Sequence, residues 1–131
     1  MAEFLSEEWL EAYAKVGRAA RPVDGADGTI RVTVDGSPRG RVVWLETMAA
    51  GQILSVELAG PKEPADIELG APYPVALALW RDGLDPNVAF MQGRLKMNGD
   101  AGLWLRLLPE LRRPEHVQAM SRLAAQTDFP T

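Results

Sequence analysis

The chain has 131 residues, 47% of them hydrophobic, with a formal net charge of −4, one histidine and no cysteine. That is enough apolar material for one packed core, and the length fits a single domain over residues 1–131. Lack of cysteine excludes disulfides, thiol catalysis and thiolate metal sites, and the acidic balance argues against nucleic-acid binding and against electrostatic docking on anionic membranes.

Ser6 followed by Glu7 and Glu8 predicts a helix start, with Phe4 or Leu5 placed to staple onto Trp9 or Leu10. Trp9, Tyr13, Val16 and Ala20 recur at helical spacing, a pattern that dissolves at Gly17 and stops before Pro22. Val23–Gly28 reads as a loop. Its two aspartates lack the further oxygen ligands and the late Glu of an EF-hand, so a Gly-Asp turn is expected there.

Ile30, Val32 and Val34 alternate with Arg31, Thr33 and Asp35, the pattern of a half-buried strand. A turn at Asp35–Gly40 leads into a second strand, Val42–Thr47, expected to pair with the first as a hairpin. After a turn at Met48–Gln52 comes a third, Ile53–Ala59, where Leu54, Val56 and Leu58 alternate with Ser55 and Glu57. Pro61 and Pro64 separate it from a fourth, Ala65–Leu69, with Ile67 and Leu69 facing in. Four antiparallel-looking strands followed by helices is the α+β order. Pro74 suits a first helical turn, and Val75–Trp80 is apolar on every side, so that helix must be enclosed. Asp82-Gly83 ends it.

The rest of the chain is organised around Asn87–Pro109. Asn87 is placed to cap a short turn, Val88–Gln92, which Gly93 ends in the left-handed region. Leu95 and Met97 oppose Arg94, Lys96 and Asn98, giving a fifth strand. Gly99 permits a bend, Asp100 can N-cap the next helix, and Leu103, Trp104, Leu107 and Leu108 form an apolar stripe that Pro109 ends. Pro114 restarts a helix with Val117, Met120, Leu123 and Ala124 on its apolar face, ending near Thr127.

The stretch AFMQGRLKMNGDAGLWLRLL resembles the sterol carrier protein-2 (SCP2) sterol-binding domain family. Phe90, Gly93, Arg94, Leu95, Lys96, Met97, Gly99 and Asp100 match its signature in order. Upstream, ADIELGAPYPVALALWRDGLDP is similar to the family's Asp-led strand, helix and Gly turn. The resemblance is strongest over Ala65–Leu108 and weak before Val42. It implies a five-stranded, mainly antiparallel sheet with helices covering one face and an apolar tunnel between.

No catalytic constellation accompanies this pattern. His116 has no Ser or Cys nucleophile to serve and reads as a solvated helix residue; Asp82 and Asp85 read as turn and cap residues around Gly83 and Pro86. Arg94 and Lys96 read as a solvated strand face. Phosphate-loop, nucleophile-elbow and dinucleotide fingerprints are missing, so no enzyme activity, cofactor or metal is expected.

Read without the resemblance, the tryptophans and methionines are core residues. The resemblance instead implies non-catalytic binding, and transfer, of a lipid: a fatty acid, fatty acyl-CoA or sterol. Trp44, Leu77, Trp80, Phe90, Met91, Leu95, Met97, Leu103, Trp104 and Leu107 are then candidate walls, with Met120 on a lid helix. The competing expectation is a protein-interaction or accessory domain of the same fold with a filled core, serving a separate catalytic chain or a homodimer. The acidic start MAEFLSEEWLEAY is unlike a signal peptide, and no apolar run approaches the ~18 residues of a membrane span. The DFPT end is not the peroxisomal address many eukaryotic relatives carry. A bacterial-type cytoplasmic protein with at most transient membrane contact is therefore expected.

Overall fold

The structure, a computed structural model, describes residues 1–130. A two-residue strand, β1 (Ala2–Glu3), precedes α1 (Glu7–Arg18). The Ser6 hydroxyl caps α1 by accepting from the Trp9 N–H at 3.1 Å. The helix runs through Gly17, where the apolar periodicity dissolves. A Cβ there would sit 2.2 Å from Ile53 Cδ1, so glycine lets α1 lie directly on the sheet.

Three strands follow as an antiparallel meander: β2 (Gly28–Ser37), β3 (Gly40–Ala49) and β4 (Gln52–Leu58). A register shift between Thr47 and Met48 places one extra residue in β4. It overturns the simple alternation expected there, because Ile53 is buried while Leu54 is 58% exposed. Residues 59–66 then cross the outer face of the sheet. The Ala59 N–H donates to the Val43 carbonyl at 2.9 Å and Arg31 Nη1 to the Glu63 carbonyl at 2.6 Å. The crossing delivers β5 (Ile67–Pro72) to the far side of β2. β5 therefore pairs with β2 in parallel, one parallel pair in an otherwise antiparallel sheet.

Pro72 and Pro74 start α2 (Tyr73–Trp80), whose Tyr73, Val75, Ala76 and Leu77 are all buried, as its unbroken apolarity requires. The short α3 (Pro86–Met91) is capped by Asp85, whose carboxylate accepts from the Asn87 N–H at 2.8 Å. Asn87 is thus not the cap. Pro86, with its fixed φ and no N–H to satisfy, moves the start two residues earlier. β6 (Lys96–Gly99) completes the sheet, in the order β4-β3-β2-β5-β6. α4 (Ala101–Leu111) carries Pro109 inside its last turn and does not end there. The proline forfeits one hydrogen bond, to a carbonyl at Leu105 on the exposed side of the helix, and two more residues follow.

Asp100 Oδ1 accepts from the Leu103 N–H at 3.0 Å, the expected N-cap of α4. Asp100→Ala is expected to cost about 1 kcal/mol in a denaturant titration. A neutral substitution would mean that water satisfies the Leu103 N–H equally well.

The last helix, α5 (Pro114–Ala125), is followed by β7 (Thr127–Asp128), which pairs in parallel with β1. This second, two-stranded sheet brings both ends of the described chain together. The Phe4 N–H donates to the Asp128 carbonyl at 2.8 Å, and the Tyr73 hydroxyl to that of Pro130. The buried side chains form one contiguous cluster on the helix-covered face of the sheet. Trp9, Trp44 and Trp104 are its largest fully buried members. Trp44 and Trp80 pack with ring centroids 5.7 Å apart.

Candidate functional site

The packed cluster is bordered by a pocket that is partly open to solvent. A cavity of about 1470 Å³ lies between the sheet and helices α1, α4 and α5. Small-molecule pockets span roughly 300–1,000 Å³, so this volume accommodates a long apolar ligand. Ile30, Val32, Leu69 and Ala71 provide its floor from the two central strands. Tyr13, Val16 and Gly17 line it from α1, and Trp104 and Leu107 from α4. α5 bridges α1, α2 and α4 and presents Val117, Met120 and Leu123 to the space. No described residue of α5 is fully buried, although its stripe is amphipathic. Leu123 packs against the core cluster, and Val117, 50% exposed, lies at the margin of the space.

Of the residues picked out by sequence, Trp80, Leu95, Trp104, Leu107 and Met120 lie together on the cavity wall. Trp44, Leu77 and Leu103 are buried in the packed cluster away from it, with Phe90 and Met97 partly buried at its margin. Met91 points to solvent, 76% exposed, on the outer side of α3. A helical stripe fixes which side of a helix is apolar, but not which apolar residues meet protein and which meet empty space.

The cavity's charged margin is not legible in the same way. The arginines around it are largely paired: Arg21 with Glu110 at 3.4 Å and Arg112 with Asp85 at 3.0 Å. These partly exposed links are worth about 0–1 kcal/mol each. His116 lies on the cavity wall, half-buried, where a solvated position was expected. Burial lowers its pKa, favouring the neutral imidazole. The buried Trp104 Nε1–H has no acceptor among the described residues.

The one acidic group in the floor is Glu46. Val42, Trp44, Glu46 and Met48 alternate on the inward face of β3, so the strand's phase carries a carboxyl inside. That phase was the available signal, and composition hides it. Glu46 is 5% exposed, and its Oε1 accepts from Tyr13 Oη at 2.8 Å and from Trp44 Nε1 at 2.9 Å. Neither donor reaches Oε2. Among the described residues no lysine, arginine or histidine pairs with it.

Burial holds the Glu46 carboxyl above the usual carboxylate range, and the bonds from Trp44 and Tyr13 pull it back only in part. Burial likewise raises the Tyr13 phenol, which stays protonated and donating. The folded state therefore binds the Glu46 proton more tightly than the unfolded chain. Its contribution to stability is fully present below the unfolded value, near 4.5, and is lost as pH rises through the higher folded value. Urea unfolding from pH 4.5 upward should show Glu46→Gln gaining on the wild type as pH rises. A stability difference independent of pH would mean that Glu46 titrates as it does in the unfolded chain.

A model of the SCP-2 sterol transfer family matches residues 8–109. No curated protein sequence matches significantly. Among solved structures, a crystal structure of sterol carrier protein 2 is 17% identical, with a TM-score of 0.68, covering 96% of this chain and 100% of its own. A possible sterol carrier protein from Thermus thermophilus is 18% identical, with a TM-score of 0.63, covering 95% of this chain and 92% of its own. Palmitated SCP2L2 from Aedes aegypti is 19% identical, with a TM-score of 0.60, covering 86% of this chain and 96% of its own. At these identities the likeness is one of fold.

Proposed function

The chain belongs to the SCP-2 sterol transfer family, and on that premise we propose that it acts as a single, non-catalytic lipid-binding domain in the cytoplasm, carrying a fatty acid, fatty acyl-CoA or sterol in its cavity. The observation that carries this reading is the open volume of about 1470 Å³ behind mostly apolar walls. A partner-binding module with a filled core has no use for such a void. Trp80, Leu95, Trp104, Leu107 and Met120 are the proposed contacts. Removing apolar ligand surface from water supplies about 25 cal/mol per Å² before ordering costs. The palmitated relative is consistent with an acyl chain as one ligand.

The test is native mass spectrometry of purified protein for a retained lipid, together with titration of a fluorescent fatty acid. Saturable binding in the micromolar range, roughly −8 kcal/mol, is expected, with a change in tryptophan emission because Trp80 and Trp104 line the cavity. Failure of fatty acids, acyl-CoAs and sterols alike to bind would leave the partner-module reading ahead.

The same titration makes a prediction for α5. Elements that gate ligands sit at the low end of local stability, and ligand binding stabilises them by mass action. Hydrogen exchange in residues 116–125 should slow on lipid addition, more than in residues 30–34 of β2. Equal change in both segments would identify α5 as ordinary packing and not a lid.

A further inference from the structure

We infer that Glu46 selects the polar end of the ligand, favouring an uncharged oxygen, a hydroxyl or a carbonyl, over a free carboxylate. The inference rests on the lipid-binding reading and names the ligand chemistry the same cavity takes.

The floor around Glu46 is apolar: Ile30 and Val32 from β2, Met48 beside it on β3, and Ile53 on β4. Within it, Oε1 is committed to Tyr13 and Trp44, and Oε2 is left without a protein partner among the described residues. An apolar tail laid over that oxygen would strip it of water and return nothing. A ligand hydroxyl can bond it in either protonation state, accepting from the carboxylic acid or donating to the carboxylate. A ligand carbonyl can accept from the acid.

A ligand carboxylate meets the opposite situation. Two carboxyl groups at one buried position cannot both ionise, because like charges in low dielectric raise each other's pKa. Tyr13 and Trp44, the two donors of this corner, are already used, and among the described residues no lysine, arginine or histidine pairs with Glu46 to offset a second negative charge. The burial that favours the protonated acid makes Oε2 a donor suited to a neutral acceptor.

The test compares two probes of equal chain length, hexadecanol and hexadecanoate, on the full chain near neutral pH. The wild type is expected to bind hexadecanol about tenfold more tightly, the size of one good hydrogen bond. Glu46→Gln keeps an oxygen for Tyr13 and Trp44 but cannot ionise. It should tighten hexadecanoate several-fold and so lower the alcohol-to-acid preference. An alcohol-to-acid ratio unchanged by Glu46→Gln would overturn the inference while leaving lipid binding intact. Failure of both probes to bind the wild type would take down the lipid reading and this one with it. Should the variant not fold, nuclear Overhauser contacts in the wild type decide the matter. Those from the C1 methylene of bound hexadecanol to the Tyr13 ring are expected, and contacts confined to the arginines at the cavity mouth would overturn it.

Discussion

Replacing Gly99 by alanine is expected to lower the unfolding free energy by roughly 3–5 kcal/mol, the sum of overpacking and left-handed backbone strain. Gly99 ends β6 with φ at +113°, a region side-chain-bearing residues rarely enter. A Cβ there would lie 2.2 Å from the carbonyl oxygen of Asp66 and 3.1 Å from Ile67 Cα. Both obstacles are backbone. They are held in register by the Ile67–Gly99 pairing and by the Asp100 N–H, which donates to the Asp66 carbonyl at 2.8 Å. No side chain can swing aside, so β6 must detach or α4 must start elsewhere. Gly70→Ala in the neighbouring strand is the control, since nothing lies within 4 Å of its added Cβ. Urea denaturation of the two variants should separate them clearly. A Gly99→Ala loss no larger than that of Gly70→Ala would mean that the β5–β6 edge yields without cost.

Trp44→Ala is expected to be comparably damaging, about 3–5 kcal/mol for loss of a large buried aromatic. The ring is 0% exposed and packs edge-on against Trp9 at 6.2 Å and Trp80 at 5.7 Å. The indole also gives Glu46 one of its two donors. Trp44→Phe isolates that part. It keeps most of the packing and removes the N–H, and should cost about 1–3 kcal/mol through the unsatisfied carboxyl. If the phenylalanine variant is as stable as wild type, the Trp44–Glu46 bond contributes nothing net.

Much of the sheet can be read directly from the sequence. Ile30, Val32 and Val34 do line one inward face, because a strand's period of two leaves little choice. α2 is legible for the opposite reason: with no polar side, it has to be enclosed. The departures share a cause. Gly17 and Pro109 read as stops in the sequence, but each acts inside a helix. At Gly17 a close approach to Ile53 outweighs propensity, and at Pro109 a single lost hydrogen bond in a last turn is tolerated. The bulge in β4 shifts the phase of the strand, and no residue type announces it. β1 and β7, at two residues each, are too short to have a period. In the candidate site, apolar walls carry no label separating core from cavity, so Trp44 and Trp104 look alike in sequence while only the second borders the open space.

The pairing of β1 with β7 also sets an order of assembly. Hairpins close in microseconds, so β2, β3 and β4 can pair as soon as they exist. Phe4 has no such freedom. The carbonyl that takes its N–H belongs to Asp128, and its ring packs on Phe129 at 4.9 Å. During synthesis at about 5–20 residues per second, that partner arrives on the order of ten seconds later. The aromatic corner formed by Phe4, Trp9 and Trp80 is therefore sealed last, although its first members are made first. Until Asp128 and Phe129 are made, the Phe4 N–H lacks its acceptor and the Phe4 ring lacks one of its aromatic neighbours.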